Sequence, residues 1–448
     1  MSEAHATSAP ASPSRPWPDL RAVWRWHFYA GLFCIPFVLW LAITGSIYLF
    51  RPQIEAMMDR PYTQLDLTGA PTSASAQVFH AIAAVPGGTL AAYQLPAAPD
   101  SAVQILVDRG EERFRVYVHP ETGAVLKLIN DDQRFMRQIF HLHGELLMGD
   151  RGSLIVELAA CWAIVMIVTG LILWWPRGAR GLGGVLYPRL RKAFFWRDLH
   201  AVVGVWVSAL ALFLLVTGLP WTNNWGGYFK DIRAITGTLD GPQDWTTSRA
   251  GERATRQSEH AEHMRALGFP ADLMQLDLMV RNVAALDLAA PVLISPPSQD
   301  GAPWRARSDA ANRPLRADAA IDGVTGEVLS VRPFGARHPI DQAIGIGVAA
   351  HEGQLFGWLN QLLGLLAAIG LVTLAASGVV MWLKRRKSAL FAAPDMMAKP
   401  RLSVGFALGF AAATIALPTL GVSALAVMAA ERLILRRIPP VRRLFALT

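Results

Sequence analysis

Four stretches of this chain are long and apolar enough to cross a bilayer: roughly Trp26 to Phe50, Leu154 to Trp175, Val202 to Leu219 and Leu359 to Leu383. Crossing about 30 Å of hydrocarbon takes about 20 apolar residues in a helix. A backbone with no water to bond must satisfy itself, so each stretch reads as a transmembrane helix. A fifth apolar region, Val404 to Ala430, is broken by Pro418 and Gly421 and reads as either one kinked span or a tight helical hairpin. Composition agrees, since 52% of the residues are hydrophobic and only 17% charged, outside the usual soluble range. The expected fold is a membrane α-helical bundle of four core spans plus that C-terminal element.

Met1 to Leu20 is rich in Ala, Ser and Pro, lacks the apolar segment of a signal peptide, and reads as a disordered tail. The first span is expected to be retained as a signal anchor. The two cysteines, Cys34 and Cys161, both fall inside spans, which argues against a disulfide framework and a Cys-based zinc or iron–sulfur site and reads them as packing residues.

The net charge of +8 matters through its placement. Arg177, Arg180, Arg189, Arg191, Lys192 and Arg197 follow the second span beside one acid, Asp198, and Lys384, Arg385, Arg386 and Lys387 end the fourth. The positive-inside rule puts both groups in the cytoplasm. With Arg21 and Arg25 ahead of the first span, the N-terminus is inside and segments 51–140 and 222–350 are outside. The basic charge is thus a topology signal, and nucleic acid is excluded as a partner.

An internal duplication organises the chain. His27-Phe-Tyr-Ala-Gly31 and then Thr44-Gly45 in the first span match His200-Ala-Val-Val-Gly204 and Thr217-Gly218 in the third, at the same offsets. His143 precedes Thr169-Gly170 and Trp174 as His351 precedes Ser377-Gly378 and Trp382. The outer segments match too: Val118-His-Pro-Glu-Thr-Gly-Ala-Val-Leu126 and Ile321-Asp-Gly-Val-Thr-Gly-Glu-Val-Leu329 each read as strand, Thr-Gly turn, strand. Helices are expected at His80 to Val85 and His260 to Leu267, so each outer segment is a small α+β domain, the second with a polar insertion near Thr236 to Arg256. The resulting division is a tail (1–20), a first span (21–50), a first outer domain (51–140) and a second span (141–176). A cytoplasmic loop (177–198), a third span (199–221), a second outer domain (222–350), a fourth span (351–387) and the C-terminal hydrophobic element with its basic tail (388–448) follow.

Topology sorts four of the eleven histidines into two levels. His27 and His200 begin in-to-out spans near the cytoplasmic face, and His143 and His351 begin out-to-in spans near the outer face. Ionisable residues at membrane depth are costly and mark functional sites. Two histidines on facing helices at one level suit the two axial positions of a b-type haem, so two bis-histidine haems are expected. Gly31 and Gly204 would leave room for the flat macrocycle, and Arg25, Arg197, Arg134 and Arg137 are candidates to pair with its propionates. His141, which has no counterpart in the second half, could replace His143 or bind substrate metal. The other histidines, including His5, His80, His119, His260, His263 and His338, read as surface residues.

The sequence resembles the PepSY-associated transmembrane family over essentially the whole chain from Arg21. The resemblance rests on Arg25-Trp-His27-Phe-Tyr-Ala-Gly31, Leu142-His143-Gly-Glu-Leu-Leu-Met-Gly149 and Thr169-Gly-Leu-Ile-Leu-Trp-Trp-Pro-Arg177. Leu199-His200, Thr217-Gly-Leu-Pro-Trp221, Trp225-Gly226 and Leu433-Ile-Leu-Arg-Arg-Ile-Pro-Pro440 add to it. The resemblance implies PepSY-like periplasmic domains and a bacterial inner-membrane location. It also implies an activity like that of siderophore-iron reductases, which carry two b haems and move electrons across the membrane. The chain shows no convincing nucleotide-binding fingerprint, so a separate cytoplasmic donor, a flavoreductase or similar, would supply electrons to an extracytoplasmic ferric complex. Trp221, Trp225 and Tyr228, just outside the third span, are candidates to line the acceptor site, expected between the two outer domains. The rival readings are a membrane protein that binds or inhibits a periplasmic peptidase, and an iron, haem or siderophore transporter. Glu157, Asn360 and Gln361 are the few polar residues in the spans that would favour transport.

Overall fold

The computed structural model describes residues 16–177, 182–239, 245, 249–266, 271–298, 301–385, 391 and 401–441. The tail as far as residue 15, with His5, lies outside these residues, as do Arg180, Arg386, Lys387 and the side chains of His260 and His263. Pro16–Trp17 (β1) leads into the long helix α1 (Leu20–Leu49), followed by α2 (Arg51–Asp59) and α3 (Ala74–Ala83). Four strands follow, β2 (Thr89–Gln94), β3 (Val103–Arg109), β4 (Glu112–Val118) and β5 (Val125–Asn130), then α4 (Phe135–Glu145) and α5 (Asp150–Trp174). The second half runs α6 (Phe195–Gly218), α7 (Asn223–Ile235), α8 (Arg249–Ala266), α9 (Ala271–Ala284), then β6 (Val292–Ser295), β7 (Trp304–Ser308), β8 (Ala317–Ile321) and β9 (Val328–Pro333). It ends with α10 (Pro339–His351), α11 (Trp358–Arg385), β10 (Arg401–Leu402), α12 (Val404–Ala416) and α13 (Pro418–Leu433).

Five candidate spans are present among the described residues: Leu20–Leu49, Asp150–Trp174, Phe195–Trp221, Trp358–Arg385 and Pro418–Arg437. The second and fourth begin later than the expected boundaries at 141 and 351, close to the starts of the apolar stretches at Leu154 and Leu359. Leu146 closes α4 in a left-handed conformation (φ 51°) before α5 starts, and Gly353 (φ 75°) follows the end of α10 before α11. His143 and His351 therefore stand on short helices that precede their spans rather than on the spans themselves. The C-terminal region is two helices broken at Leu417 (φ −132°, ψ 77°), with Pro418 opening the second. The break is sharp enough that a Cβ on Gly421 would overlap the Thr414 side chain. Cys34 and Cys161 are fully buried and neither is in a disulfide.

The chain divides into two compact units. One comprises Met1–Leu39, Leu158–Leu212 and Gly370–Thr448, and the other Trp40–Glu157 and Phe213–Ile369.

The second unit holds the largest departure from expectation. Segments 51–140 and 222–350 do not make two separate sheets. They form one eight-stranded sheet, in the order β5-β4-β3-β2-β6-β7-β8-β9, antiparallel throughout. The halves join edge to edge where Tyr93 pairs with Ile294 and Gln94 with Leu293. An acceptor cleft between two separate outer sheets is thereby ruled out at this edge. Within each half a helix is followed by four strands, and α3 and α9 pack with one face of the sheet into a single core that includes Val78, Ile105, Val116, Met279, Ile294 and Trp304. The expected Thr-Gly turns are present. Gly123 (φ 69°) and Gly326 (φ 73°) take the left-handed conformation that a side chain disfavours, and their amides return to His119 and Asp322 carbonyls. The region read as a polar insertion includes the start of α8, which lies across β2, β3 and β4 and is tied down by Arg256 to Asp132 at 3.1 Å.

Two expectations follow. Trp304 is fully buried, so Trp304→Ala should destabilise the sheet by about 3–5 kcal/mol, whereas Val331→Ala at the exposed edge should cost little; thermal unfolding and protease resistance of the sheet measure both. Burial alone would raise the Asp131 pKa, but Arg115 (3.0 Å) and Arg134 (3.5 Å) hold its carboxyl well below the usual range. Its stabilising contribution is present above the unfolded pKa of about 3.9 and is lost as pH falls through the folded value. The stability difference between wild type and Asp131→Asn should therefore be constant near neutrality and shrink below about pH 4.

Candidate functional site

The four repeat-related histidines stand as two pairs, one in each unit. In the first unit the His27 and His200 rings have centroids 6.2 Å apart and planes at 84°. In the second, His143 and His351 are 6.5 Å apart at 79°.

Each ring is held by the hydroxyl–glycine pair of a neighbouring helix. His27 Nδ1 lies 2.9 Å from the Met166 carbonyl and 3.3 Å from Thr169 Oγ1, and a Cβ on Gly170 would come within 2.9 Å of its Cε1. His200 Nδ1 meets Ser377 Oγ at 3.0 Å and the Leu374 carbonyl at 3.2 Å, with Gly378 beside the ring. Thr44 Oγ1 meets His143 Nδ1 at 2.9 Å, and Thr217 Oγ1 meets His351 Nδ1 at 2.9 Å, with Gly45 and Gly218 against those rings. The Thr-Gly and Ser-Gly motifs thus have one job four times over: the glycine lets the ring approach the helix and the hydroxyl engages Nδ1. That leaves Nε2 of each ring as the nitrogen available to a ligand. Spacing had exposed the motif, but its role needed the neighbouring helix. Gly31 and Gly204 sit instead against Met166 and Leu374, at ordinary contact distance for an added Cβ.

His141 is not part of a pair. It is buried edge-on to Phe140, its Nδ1 3.3 Å from Glu145 Oε2 without hydrogen-bond geometry, beside Arg249. Arg197 is exposed and bound to Asp198 at 3.0 Å, which Arg189 also grips at 2.6 Å. Arg25 lies over the Tyr29 ring. Arg134 pairs with Glu55 at 2.7 Å, and Arg137 with Glu252 and Asp132.

The three aromatic candidates separate. Trp221 is edge-on to Phe140 at 5.8 Å with the Arg313 guanidinium 5.2 Å above it. Trp225 stacks on Phe229, and Tyr228 is half-buried on α7. Tyr48 and Phe140 join Trp221 in an aromatic wall, Tyr48 touching Phe140 at 6.0 Å. Tyr48 and Trp221 each lie one turn beyond a Thr-Gly pair, a repeat signal that marks both.

The polar residues of the spans have structural partners. Glu157, fully buried, accepts the Trp225 N–H at the start of α7 (3.1 Å). Asn360 closes the turn before α11 by donating to the Ala350 carbonyl and accepting from Leu355 N–H. Gln361 donates to the Leu49 carbonyl at 2.9 Å. His338 caps α10 by accepting from Ile340 N–H, His119 accepts in its own turn, and His80 packs under Gly123. Among the described residues no group of three or more His, Cys, Asp or Glu is placed to hold a metal ion. Each pair can therefore offer two imidazole nitrogens, and any further ligands of a metal must come with it.

Apolar spanning helices, an attached antiparallel sheet and facing histidines define a multi-pass membrane protein with two imidazole-pair sites. Residues 24–385 match the family model of the PepSY-associated TM region, and the chain belongs to that family. Among curated proteins none matches the chain.

Proposed function

We propose that the chain holds two b-type haems, one between each histidine pair, and conducts electrons across the membrane to an extracytoplasmic ferric acceptor, a ferric siderophore being the substrate class the family resemblance favours. The observation that carries the reading is the ring separation. Two metal–imidazole bonds of about 2 Å each, extended to the ring centres on both sides, come to about 6 Å. Both pairs have that spacing, and a porphyrin brings the equatorial nitrogens that the protein does not offer.

When bound, haem supplies reversible one-electron chemistry. The chain's own residues do the rest. His27 and His200 would hold one group and His143 and His351 the other, with Thr169, Ser377, Thr44 and Thr217 orienting the rings. The flanking basic loops support a cytoplasmic position for the His27/His200 pair and an inner-membrane protein with its N-terminus inside. A separate flavoreductase-like donor would serve that pair. Trp221, Phe140 and Tyr48 would cover the outer approach to the other. One electron delivered to Fe(III) labilises it, because Fe(II) binds hard oxygen ligands more weakly. We read the two halves, each a helix, four strands and paired helices, as one duplicated PepSY-like unit. The transporter reading loses its support, since Glu157, Asn360 and Gln361 all have structural partners. A peptidase-binding role gives the four gripped imidazoles no task.

Protein purified from haem-replete cells should show reducible Soret and α bands and two b haems per chain by pyridine haemochrome. His27→Ala and His351→Ala should each lose one haem, and the double variant both. A folded, colourless wild-type chain would end this reading.

A further inference from the structure

Each hydroxyl beside a histidine has already committed its own proton. Thr44 Oγ1 donates to the Trp40 carbonyl at 2.8 Å, and Thr169, Thr217 and Ser377 donate to Val165, Phe213 and Thr373 carbonyls, each at 2.7 Å. This is the back-bond that Ser and Thr make to the carbonyl one turn earlier in a helix. A hydroxyl carries one proton, so the oxygen that meets Nδ1 can only accept there. Two of the imidazoles also bond a backbone carbonyl, that of Met166 for His27 and that of Leu374 for His200. A carbonyl cannot donate, and a lone pair on Nδ1 would oppose its oxygen.

We propose that all four imidazoles carry their proton on Nδ1 and so leave Nε2 as the electron-pair donor, Thr44 and Thr217 being the positioning residues that hold it there at His143 and His351, while Thr169 and Ser377 share that task with a backbone carbonyl at His27 and His200. A consequence for ligand strength rests on the haem reading above. A ring that gives its N–H to an acceptor is more basic at its other nitrogen, and so a stronger ligand for ferric iron. The four are not equally dependent on their hydroxyls. Among the described residues Thr44 Oγ1 is the single hydrogen-bond partner of His143 Nδ1, and Thr217 Oγ1 that of His351 Nδ1, whereas His27 and His200 keep a carbonyl when the hydroxyl is removed. His143 and His351 are therefore the rings that a hydroxyl deletion exposes, and Thr44 is the hydroxyl to delete.

Nitrogen-15 NMR of the full-length, haem-free chain, labelled at histidine, reads the tautomer from the two ring-nitrogen shifts. Wild type is expected to carry the proton on Nδ1 at His27, His143, His200 and His351. Thr44→Val should move His143 toward the Nε2–H form, Thr44→Ser should keep it, and Thr169→Val should leave His27 unchanged. In the haem-loaded chain Thr44→Val should weaken ferric ligation about tenfold, which is an upward shift of about 59 mV in one midpoint potential, with Thr44→Ser restoring it. An Nε2–H form at any of the four in wild type overturns the proposal, as does a Thr44→Val chain with unchanged His143 tautomer and potentials. If Thr44→Val does not fold, Ser377→Ala takes its place: His200 should remain Nδ1–H on the Leu374 carbonyl, and conversion to Nε2–H there would contradict the assignment. A colourless wild-type chain with four Nδ1–H rings would uphold the tautomer assignment and end only the haem reading.

Discussion

Helices in hydrocarbon gain little from burying apolar side chains against one another, because lipid is equally apolar, so close approach and polar contacts must hold them. Here both are concentrated in the imidazole that one helix places on the hydroxyl–glycine pair of another. α1 offers His27 to Thr169-Gly170 of α5 and offers Thr44-Gly45 to His143 of α4. α6 offers His200 to Ser377-Gly378 of α11 and Thr217-Gly218 to His351 of α10. Hydrogen bonds between membrane helices average about 0.6 kcal/mol and reach about 1.7. No single one decides whether the bundle forms. The orientation of each imidazole, by contrast, depends on its own contact, so the residues that pack the helices also aim the rings.

The sheet solves a different problem. A four-stranded sheet in each half would leave an open edge on β2 and on β6, with backbone groups ready to pair elsewhere. Pairing the two edges satisfies both and merges the cores beneath α3 and α9 into one. α8 is strongly polar, and Arg256–Asp132, Arg137–Glu252 and Arg249–Glu145 tie it to the neighbourhood of α4. The helix that carries His143 is thus braced by ion pairs on one side and by Thr44 on the other.

Much of this was legible in the residues. Hydropathy located the spans because a bilayer imposes a length that few other environments do. Equal offsets between His and Thr-Gly or Ser-Gly picked out the four histidines that stand in pairs. Three things were not legible. The breaks at Leu146 and Gly353 fall in the short mixed stretches between the histidines and the apolar runs, where hydropathy does not say whether one helix continues or two meet. The union of β2 with β6 is made by backbone groups, which carry no residue signature across some 200 positions. The offsets favoured His143 without excluding His141, because which side of α4 faces His351 is a matter of two residues of rotation.

The central claim is that each pair of facing imidazoles forms the two axial positions of one haem. Both pairs have near-perpendicular ring planes, at 84° and 79°, and the orientation of the axial rings governs the anisotropy of low-spin ferric iron. Electron paramagnetic resonance of the oxidised, purified protein is therefore the most direct measurement. Two strongly anisotropic low-spin ferric signals, one lost in His27→Ala and the other in His143→Ala, are the result this structure predicts. A high-spin signal, or an ordinary rhombic low-spin spectrum of parallel rings that survives those substitutions, would contradict it.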